Sequence, residues 1–403
     1  MLELCSKKFE EIEKIEEFNS QKVLKAFIES NVSESHFVPT TGYGYNDRGR
    51  EKLDEVYSRI FRTEDALVRY SFASGTHALS TALFGILRPG DKVLSVTGKP
   101  YDTMKDVIGD SQRDIGSLKN FGVDFEYIDF EFESKEYFEI IKSKLKNKFK
   151  AVYIQRSRGY SLRRSLSAED IGKLIESVKK INPEVITIVD NCYGEFVEVK
   201  EPSEYGADLI VGSLIKNPGG GISLSGGYIA GKKHLIELCA NRFTAPGIGK
   251  EIGASVAGHR DLFMGIYNAP QAVSNALKTA TFASALFEIL GYEVSPKYTD
   301  KRCDIVQSIT LKEPSSLIEF CRGIQEKSPI DSFVTPEPWD MPGYEDKVIM
   351  AAGNFISGSS IELSADGPLR DPYVVWMQGG TCFYTSKIGI MNAAQKVVNT
   401  KDK

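Results

Sequence analysis

The chain has 403 residues, of which 41% are hydrophobic and 26% charged, and its formal net charge is -5 at pH 7. This length allows two or three domains with a large buried core, and the small negative charge without long basic runs argues against a nucleic-acid-binding surface. The six scattered cysteines form no C-x-x-C pair and the four histidines no H-x-x-x-H pair, which argues against a disulfide scaffold and a structural zinc site.

The first residues predict a cytoplasmic protein. After Met1 the sequence becomes charged within a few positions, which is not typical of a signal peptide, and no apolar run approaches the length of a membrane span. We therefore expect small-molecule ligands, with no nucleic acid, membrane or metal ion among the partners.

The first forty residues predict a helical arm. Between Phe9 and Asn31 the apolar positions follow mostly helical spacing among charged residues, as one or two amphipathic helices. A loop rich in glycine and tyrosine follows over Thr40–Arg50, and another helical pattern covers Glu51–Phe61.

A repeating alternation of strand and helix patterns then begins. Helical patterns such as Thr76–Leu87 and Ala168–Lys180 separate several of the short β-rich runs. This alternation is typical of a mostly parallel sheet with helical crossover connections. The predicted strands are Ala66–Ser71, Lys92–Val96, Asp124–Ile128, Ala151–Gln155, Val185–Val189, Leu209–Val211 and Gly227–Ala230.

The pattern changes after residue 254. A long, mainly helical stretch reaches Leu290, and strand-like runs follow near Ile305–Leu311 and Val348–Leu363. The proline-containing segment Thr335–Tyr344 is expected to be an ordered loop. We therefore divide the chain into an N-terminal helical arm (1–40), a large domain (41–254) and a small C-terminal domain (255–403).

The first candidate site element is Ser74–Ala78, which follows a predicted strand and begins a helix. Free backbone N–H groups and the positive end of that helix are suited to an anion. A simple helix N-cap by Ser74 or Thr76 is the plain alternative. The chain has neither a G-x-x-x-x-G-K-[ST] nor a G-x-G-x-x-G motif, which argues against an ATP or dinucleotide site.

The second element is Asp190, which follows the apolar run Val185–Val189. Ligands of open α/β sheets usually bind at such a carboxyl end of a strand. An ionised carboxylate there needs a cationic partner, such as a protonated pyridine nitrogen. Capping of the next segment and metal binding are alternatives of similar weight.

The third element is Lys216, which follows the apolar run Leu209–Ile215 and precedes three consecutive glycines at 219–221. A desolvated lysine is expected to have a lowered pKa, which makes the amine a nucleophile toward an aldehyde. A surface lysine before a glycine turn is the alternative.

The three elements, in this order, resemble the Cys/Met-metabolism group of PLP (pyridoxal 5'-phosphate) enzymes, such as methionine γ-lyase and the cystathionine lyases, and within it the aluminium-resistance subgroup. Asp190 and Lys216 are 26 positions apart, and Ser213 precedes Lys216 by three, as in that group. The resemblance extends from Tyr45 onward. It implies the α/β fold of aspartate aminotransferase (fold type I), with a mostly parallel seven-stranded sheet in the large domain and a smaller α/β C-terminal domain.

The resemblance also implies roles for residues around the cofactor. Lys216 would carry PLP as a Schiff base and act as the catalytic base, and Asp190 would face the pyridine nitrogen. Tyr101 matches the aromatic residue that stacks on the ring and can act as an acid near the leaving group. The implied phosphate-binding residues are Gly75, Thr76 and Ser213.

Two further positions imply an oligomer. Tyr45 and Arg48 correspond to a Y-S-R motif that reaches the phosphate site of a neighbouring subunit, although this chain has one extra residue between them. The resemblance therefore implies a homodimer with shared active sites, and a tetramer built from two such dimers.

Two departures from the family leave the substrate open. The chain has the cation-rich segment Gln155–Tyr160 where relatives have an asparagine-proline motif, so Arg156 and Arg158 could indicate an acidic substrate. The usual arginine motif for the substrate carboxylate is also missing. Arg370 is the nearest candidate and Arg158 a second one, although Arg370 could equally pair with Asp371 or lie in solvent.

The implied activity is that of a carbon-sulfur lyase acting on an amino acid of the methionine, cystathionine or cysteine class. Lys216 would remove the α-proton, and β- or γ-elimination would follow. An aminotransferase or another PLP reaction is the first alternative, because this fold hosts many chemistries. A PLP-fold stress-response protein without turnover is the second, and the retained lysine argues against it.

Overall fold

The computed structural model describes residues 1–111, 115–341, 344 and 346–400. Helices and strands alternate through the first half of the chain, as predicted. The α-helices are α1 (Leu2–Glu29), α2 (Arg48–Ile60), α3 (Gly75–Ile86), α4 (Asp102–Ile108), α5 (Lys135–Lys144), α6 (Ala168–Ile181), α7 (Lys233–Phe243), α8 (Arg260–Ile289), α9 (Pro314–Gln325) and α10 (Phe383–Thr400).

A seven-stranded sheet forms the centre of the first half of the chain. Its order is β1-β7-β6-β5-β4-β2-β3, and all neighbours are parallel except β7, which is antiparallel to β1 and β6. The predicted mostly parallel sheet is therefore confirmed. Its strands are β1 (Asp65–Arg69), β2 (Lys92–Ser95), β3 (Asp124–Tyr127), β4 (Ala151–Gln155), β5 (Ile186–Asp190), β6 (Leu209–Ser213) and β7 (Gly227–Gly231).

The central strands are easily recognised in the sequence because they are covered on both faces. Every residue of β4, β6 and β7 is buried. Parallel strands that are buried on both faces form nearly continuous apolar runs. The carboxyl ends of β4, β5 and β6 lie side by side, which brings the residues after them to one edge of the sheet.

An antiparallel five-stranded sheet follows in the second half of the chain, in the order β10-β11-β12-β9-β8. Its strands are β8 (Glu293–Ser295), β9 (Gln307–Thr310), β10 (Val348–Ala351), β11 (Ser364–Pro368) and β12 (Val374–Gln378).

The strand prediction over Val348–Leu363 is wrong after Ala351. The chain turns there, and β11 begins only at Ser364. The Glu362 carboxylate accepts the backbone N–H groups of Phe355 and Ile356 at 2.8 and 3.1 Å, which satisfies donors that a strand would give to its neighbour. The expected loop over Thr335–Tyr344 contains an isolated bridge from Trp339 to Val348, and its residues 342 and 343 lie outside the described residues.

The two longest helices pack against each other. The predicted N-terminal arm is a single helix, α1, whose Phe27 contacts Phe263 of α8 edge to face at 6.0 Å. On another face of α1, Asn19 donates to the carbonyl groups of Phe196 and Glu198 at 3.1 Å. In the described part of the chain, no helix is both long and apolar enough to cross a membrane.

Candidate active site

A cavity of about 260 Å³ lies beyond the carboxyl ends of β5 and β6, and both sheets contribute to its lining. Ligands of open α/β sheets bind at this position. The structure brings most of the predicted cofactor residues into one cavity. These are Gly75, Thr76, Tyr101, Asp190, Ser213 and Lys216.

One end of the cavity is suited to a phosphate group. The Ser74 hydroxyl caps α3 by accepting the His77 backbone N–H at 3.1 Å, so the predicted N-cap is present. The first N–H groups of a helix have no intrahelical acceptor, which leaves those of Gly75 and Thr76 for a ligand. The Ser213 hydroxyl is buried with no hydrogen-bond partner among the described residues. The segment Ser74–Ala78 is therefore compatible both with a helix N-cap and with anion binding.

Gly75 lets the helix start approach the end of β6 closely. A Cβ atom at Gly75 would lie 3.1 Å from the Ser213 Cβ, which is a tight contact, and 3.7 Å from the Cys192 sulfur, which is an ordinary one. A side chain at residue 75 would therefore require Ser213 to move by a few tenths of an ångström.

Asp190 ends β5 with its carboxylate buried beside the cavity. The Cys192 backbone N–H donates to one carboxylate oxygen at 3.1 Å, and the Tyr153 phenol donates to the other at 3.3 Å. Within the described residues, no cluster of three or more His, Cys, Asp or Glu side chains could hold a metal ion. The fixed carboxylate fits the cationic ring nitrogen that the sequence predicted better than it fits a metal.

Lys216 lies between the two sheets with its ammonium nitrogen 4.0 Å from the centre of the Tyr193 ring. Burial lowers its pKa, but nearby acidic groups have the larger combined effect and raise the pKa of Lys216 well above its usual range. These groups are Cys192, Tyr193, Tyr101 and Asp190. The predicted lowering of the pKa is therefore wrong, because these neighbours favour the ammonium form.

Tyr193 is a site residue that the sequence reasoning missed. Its backbone has a φ of 71°, which a non-glycine residue rarely adopts at a cost of about 1 to 3 kcal/mol. This turn places its ring beneath Lys216, and its hydroxyl lies 3.3 Å from the Ser360 hydroxyl. The only signal in the sequence is its position three residues after Asp190.

Tyr101 lines the cavity immediately before α4. Burial raises the pKa of its phenol despite the opposing effect of Lys216, so the phenol is protonated at neutral pH and can donate a proton. Gln155, which replaces the family asparagine, accepts the Tyr101 backbone N–H at 3.0 Å. The replaced motif therefore still supports this aromatic residue.

Arg156 and Arg158 do not line the described cavity. The fully buried Arg156 donates to Asn191 and Glu198 at 2.8 Å and pairs with Glu201 at 3.4 Å. An acidic-substrate role for Arg156 is therefore wrong, since its guanidinium already serves these internal partners.

Arg158 joins the loop after β4 to the second sheet. Its guanidinium donates to the Ser295 carbonyl and to the Ser308 hydroxyl, both at 3.1 Å. From the same segment, Ser157, Gly159 and Tyr160 face the cavity instead. The predicted contact of Arg158 with substrate is not formed in this arrangement.

Three other predicted residues lie away from the cavity lining. Arg370 is half exposed and pairs with Asp346 at 3.2 Å, which differs from both the carboxylate role and the Asp371 pair. Tyr45 and Arg48 are exposed on the surface. That position leaves them free to reach another subunit, and this role stays a prediction.

The other end of the cavity is a wall formed by one face of the second sheet. Asp366 of β11 lies directly opposite Met350 of β10 and Trp376 of β12. In the same way Ser364 lies opposite Gln378, and all five side chains line the cavity. We call these five residues the substrate wall. The sequence reasoning missed the wall because its side chains meet only through the register of three strands.

Comparisons with known proteins agree on one family. The family model described as methionine gamma-lyase matches residues 1–398. A carbon-sulfur lyase involved in aluminum resistance from Clostridium novyi NT is 50% identical, with a TM-score of 0.94 and coverage of 98% of this chain and 94% of that chain. The uncharacterized protein YnbB of Bacillus subtilis is 47% identical over 389 residues, which are 96% of this chain and 92% of YnbB.

A more distant structure extends the likeness of the fold. The pyridoxal-5'-phosphate-dependent protein YhfS from Escherichia coli is only 13% identical, but it covers 96% of this chain and 97% of its own with a TM-score of 0.62. The predicted fold type I of PLP-dependent enzymes is therefore confirmed.

Proposed function

Because the chain belongs to the methionine gamma-lyase family, we propose that it is a PLP-dependent carbon-sulfur lyase that acts on a sulfur-containing amino acid by β- or γ-elimination. The observation that carries this proposal is the meeting of Lys216, Asp190 and the unpartnered Ser213 hydroxyl in one cavity. A lysine, a carboxylate and an anion cradle are what PLP requires for its aldehyde, ring nitrogen and phosphate.

The side chains of the cavity divide the work around the cofactor. PLP, when bound, would withdraw electrons from the α-carbon of the substrate, which no side chain of the protein can do. Lys216 would hold the cofactor and then take the α-proton, and positioned proton transfer of this kind contributes roughly 10² to 10⁴ in rate. The protonated Tyr101 phenol would give a proton to the departing sulfur.

The usual arginine for the substrate carboxylate is missing from this chain, so the α-carboxylate of the substrate would need a different hydrogen-bond donor. Lys216 is the single cation among the described residues that line the cavity. The Ser359 hydroxyl lines the cavity, is buried and has no hydrogen-bond partner among the described residues. The neighbouring Ser360 N–H donates to the Ile215 carbonyl at 3.3 Å, which holds this loop next to Lys216. We assign the carboxylate contact to Ser359.

The test is a product analysis with the purified PLP-loaded protein. Incubation with cystathionine, homocysteine, cysteine or methionine is expected to release a thiol or hydrogen sulfide together with ammonia and a keto acid, without a second keto-acid substrate. Accumulation of pyridoxamine phosphate that is reversed by a keto acid would indicate an aminotransferase instead. PLP binding without any product would support the non-catalytic alternative.

The assembly is part of the proposal. We infer a homodimer in which Tyr45 and Arg48 complete the phosphate site of the neighbouring subunit, with two dimers forming a tetramer. Exposure of both residues outside the cavity lining supports this arrangement. Since each mixed dimer would have one intact site, mixing inactive Arg48→Ala and Lys216→Ala proteins should restore activity. No recovery after verified subunit exchange would exclude shared sites.

A cytoplasmic location completes the proposal. All six cysteines are free thiols, as expected in a reducing compartment. Cell fractionation with an antibody against the native protein would test it.

A further inference from the structure

We propose that the substrate wall binds an ammonium group at the far end of the substrate, so that the preferred substrate is an amino-acid thioether whose leaving thiol carries a cation. The inference rests on the proposed lyase function, because it names the substrate class of the same cavity. The group that binds the cation, called here the ammonium pocket, consists of Asp366, Gln378, Tyr160, Tyr344 and Trp376.

The sheet register aims Asp366 at the cavity. Side chains on a strand alternate between the two faces of the sheet. Ala365 and Met377 belong to the hydrophobic core on one face, whereas Asp366 and its cross-strand partner Trp376 line the cavity on the other. The carboxylate therefore cannot turn away to solvent without disturbing β11.

Asp366 is a buried carboxylate with neutral partners. Gln378 donates to it at 3.0 Å, and the Tyr160 phenol is a second hydrogen-bond donor. Burial raises the pKa of Asp366, and these two hydrogen bonds oppose the shift only in part. A buried carboxylate in this state is strongly stabilised when a cation arrives. Lys216, the single cation among the described lining residues, is already committed to the cofactor.

Aromatic rings surround the space beside Asp366. The Tyr160 ring centre lies 4.9 Å from that of Trp376 and 5.7 Å from that of Tyr344. Faces of such rings attract ammonium groups, most strongly where water is excluded. The Trp376 indole N–H is buried and has no hydrogen-bond partner among the described residues. This N–H can only donate, so it would pair with an acceptor on the ligand and not with the ammonium group, and the wall as a whole is suited to a polar ligand rather than to a hydrocarbon chain.

The ammonium pocket lies where the leaving group of a substrate would extend. Tyr160 and Tyr193 both pack against the small cluster that contains Trp376 and Val306. Tyr193 also lies under Lys216, so the aromatic wall begins at the reacting lysine and leads to Asp366. The substrate's own α-amino group is used for attachment to the cofactor, and the cation at Asp366 must therefore lie beyond the sulfur.

Two ligands of the same size and shape separate the effect of ligand charge on affinity from the effect of ligand size. S-(2-aminoethyl)-L-cysteine and S-propyl-L-cysteine differ only by an ammonium group in place of a methyl group. The chain has two tryptophans, so Trp339→Phe leaves Trp376 as the single indole in a PLP-loaded parent protein. Affinity is measured by stopped-flow change in Trp376 fluorescence before turnover. The aminoethyl compound is expected to bind about 10- to 100-fold more tightly, as for hydrogen bonds to charged groups.

Asp366→Asn in the same parent keeps the shape and an acceptor for Gln378 but removes the charge. The affinity ratio should then fall toward one, whereas a merely structural role would weaken both ligands equally and leave the ratio unchanged. The matched control is Asp331→Asn, an exposed acid on the same half of the chain, which should retain the parental ratio. An affinity ratio near one in the parent protein would overturn the proposal without any further variant. An affinity ratio that stays the same in Asp366→Asn would also overturn it.

The same samples separate this inference from the lyase function. Thiol release is measured after the binding phase with both ligands. A high affinity ratio without thiol release would refute the lyase proposal and support the ammonium pocket. Thiol release with equal affinities would support the lyase and refute the ammonium pocket.

Discussion

The cofactor end of the cavity is built from short contiguous segments at strand ends and at a helix start, whereas the substrate end is one face of an antiparallel sheet. Gly75 begins the helix that follows β1, Asp190 ends β5, and Lys216 follows β6 by three residues. Met350, Asp366 and Trp376 instead meet through strand register. Under the proposed function, the first end would determine the type of chemistry and the second would determine which substrate is bound.

The two ends also differ in how their polar groups are supported. Asp190 is fixed by the Tyr153 phenol and by a backbone N–H before any ligand arrives. Asp366 is likewise held by two neutral donors, Gln378 and Tyr160, but no other cation than Lys216 is among the described lining residues, and Lys216 lies near Asp190. The cofactor end is thus preorganised, whereas the substrate end gains much of its stabilisation from the ligand.

The largest expected effect is at the cofactor end. Lys216→Ala should abolish covalent attachment of PLP and lower turnover by at least roughly 10² to 10⁴, because the variant loses both the amine and the base. Borohydride reduction of the PLP-loaded parent followed by peptide mass mapping should label Lys216 alone. A label on another lysine, such as the exposed Lys232 or Lys233, would show that the cofactor lysine is misassigned.

Asp190→Asn tests the preorganised carboxylate. The amide keeps the shape and can still accept from Tyr153, but it no longer favours a protonated ring nitrogen. Turnover should fall about 10- to 100-fold, the effect of one hydrogen bond to a charged group, while PLP remains bound. The measurement is kcat beside the cofactor content from absorbance. Normal turnover in this variant would mean that Asp190 does not face the ring.

Six of the predicted cofactor residues line one cavity because each of them lies in a segment that can be recognised from local sequence order. An apolar strand followed by Asp190 or Lys216 can be recognised without knowing which strands are neighbours, and the seven strands predicted between Ala66 and Ala230 all formed. The roles of Arg156 and Arg158 could not be read in this way. Their direction depends on Glu198 and Ser308, which are distant in sequence, and a cation-rich segment gives no information about which side it faces.

The prediction of a lowered pKa for Lys216 was wrong for a similar reason. Burial alone lowers the pKa of a lysine, and this was the only effect that an apolar strand could indicate. The neighbours that reverse it, such as Tyr193 and Tyr101, meet Lys216 only in the folded chain. The sequence pattern predicted a single strand run over Val348–Leu363 and neither β11 nor β12, so the register that brings Met350, Asp366 and Trp376 together could not be predicted from it.

A third prediction concerns the support beneath the cofactor end. Glu195 is fully buried and accepts from the Tyr228 phenol at 2.9 Å, while its backbone carbonyl accepts from Asn217, the neighbour of Lys216. Burial raises the pKa of Glu195 to about 8, against a usual value of 4.5. The unfolded chain therefore releases a proton that the folded protein keeps, so stability falls as pH rises from about 4.5 to about 8.

Glu195→Gln should remove this fall. The variant should gain stability relative to the parent by up to about 1.4 kcal/mol for each pH unit in that window, seen as a widening difference in apparent Tm. The exposed Glu184→Gln variant serves as control and should show a constant difference from the parent. A constant difference for Glu195→Gln as well would mean that its carboxylate is charged in the folded protein.

The smallest expected effect lies where the two ends of the cavity meet. Ser359 is a neutral donor that lines the cavity and has no partner among the described residues, and we have assigned it the substrate carboxylate. Ser359→Ala should lower kcat/KM by about 2- to 10-fold, the effect of one neutral hydrogen bond, and mostly through KM. The exposed neighbour Ser357→Ala is the matched control and should leave both constants unchanged. An equal loss in the two variants would assign the effect to the loop as a whole, and no loss in either would show that Ser359 does not contact the substrate carboxylate.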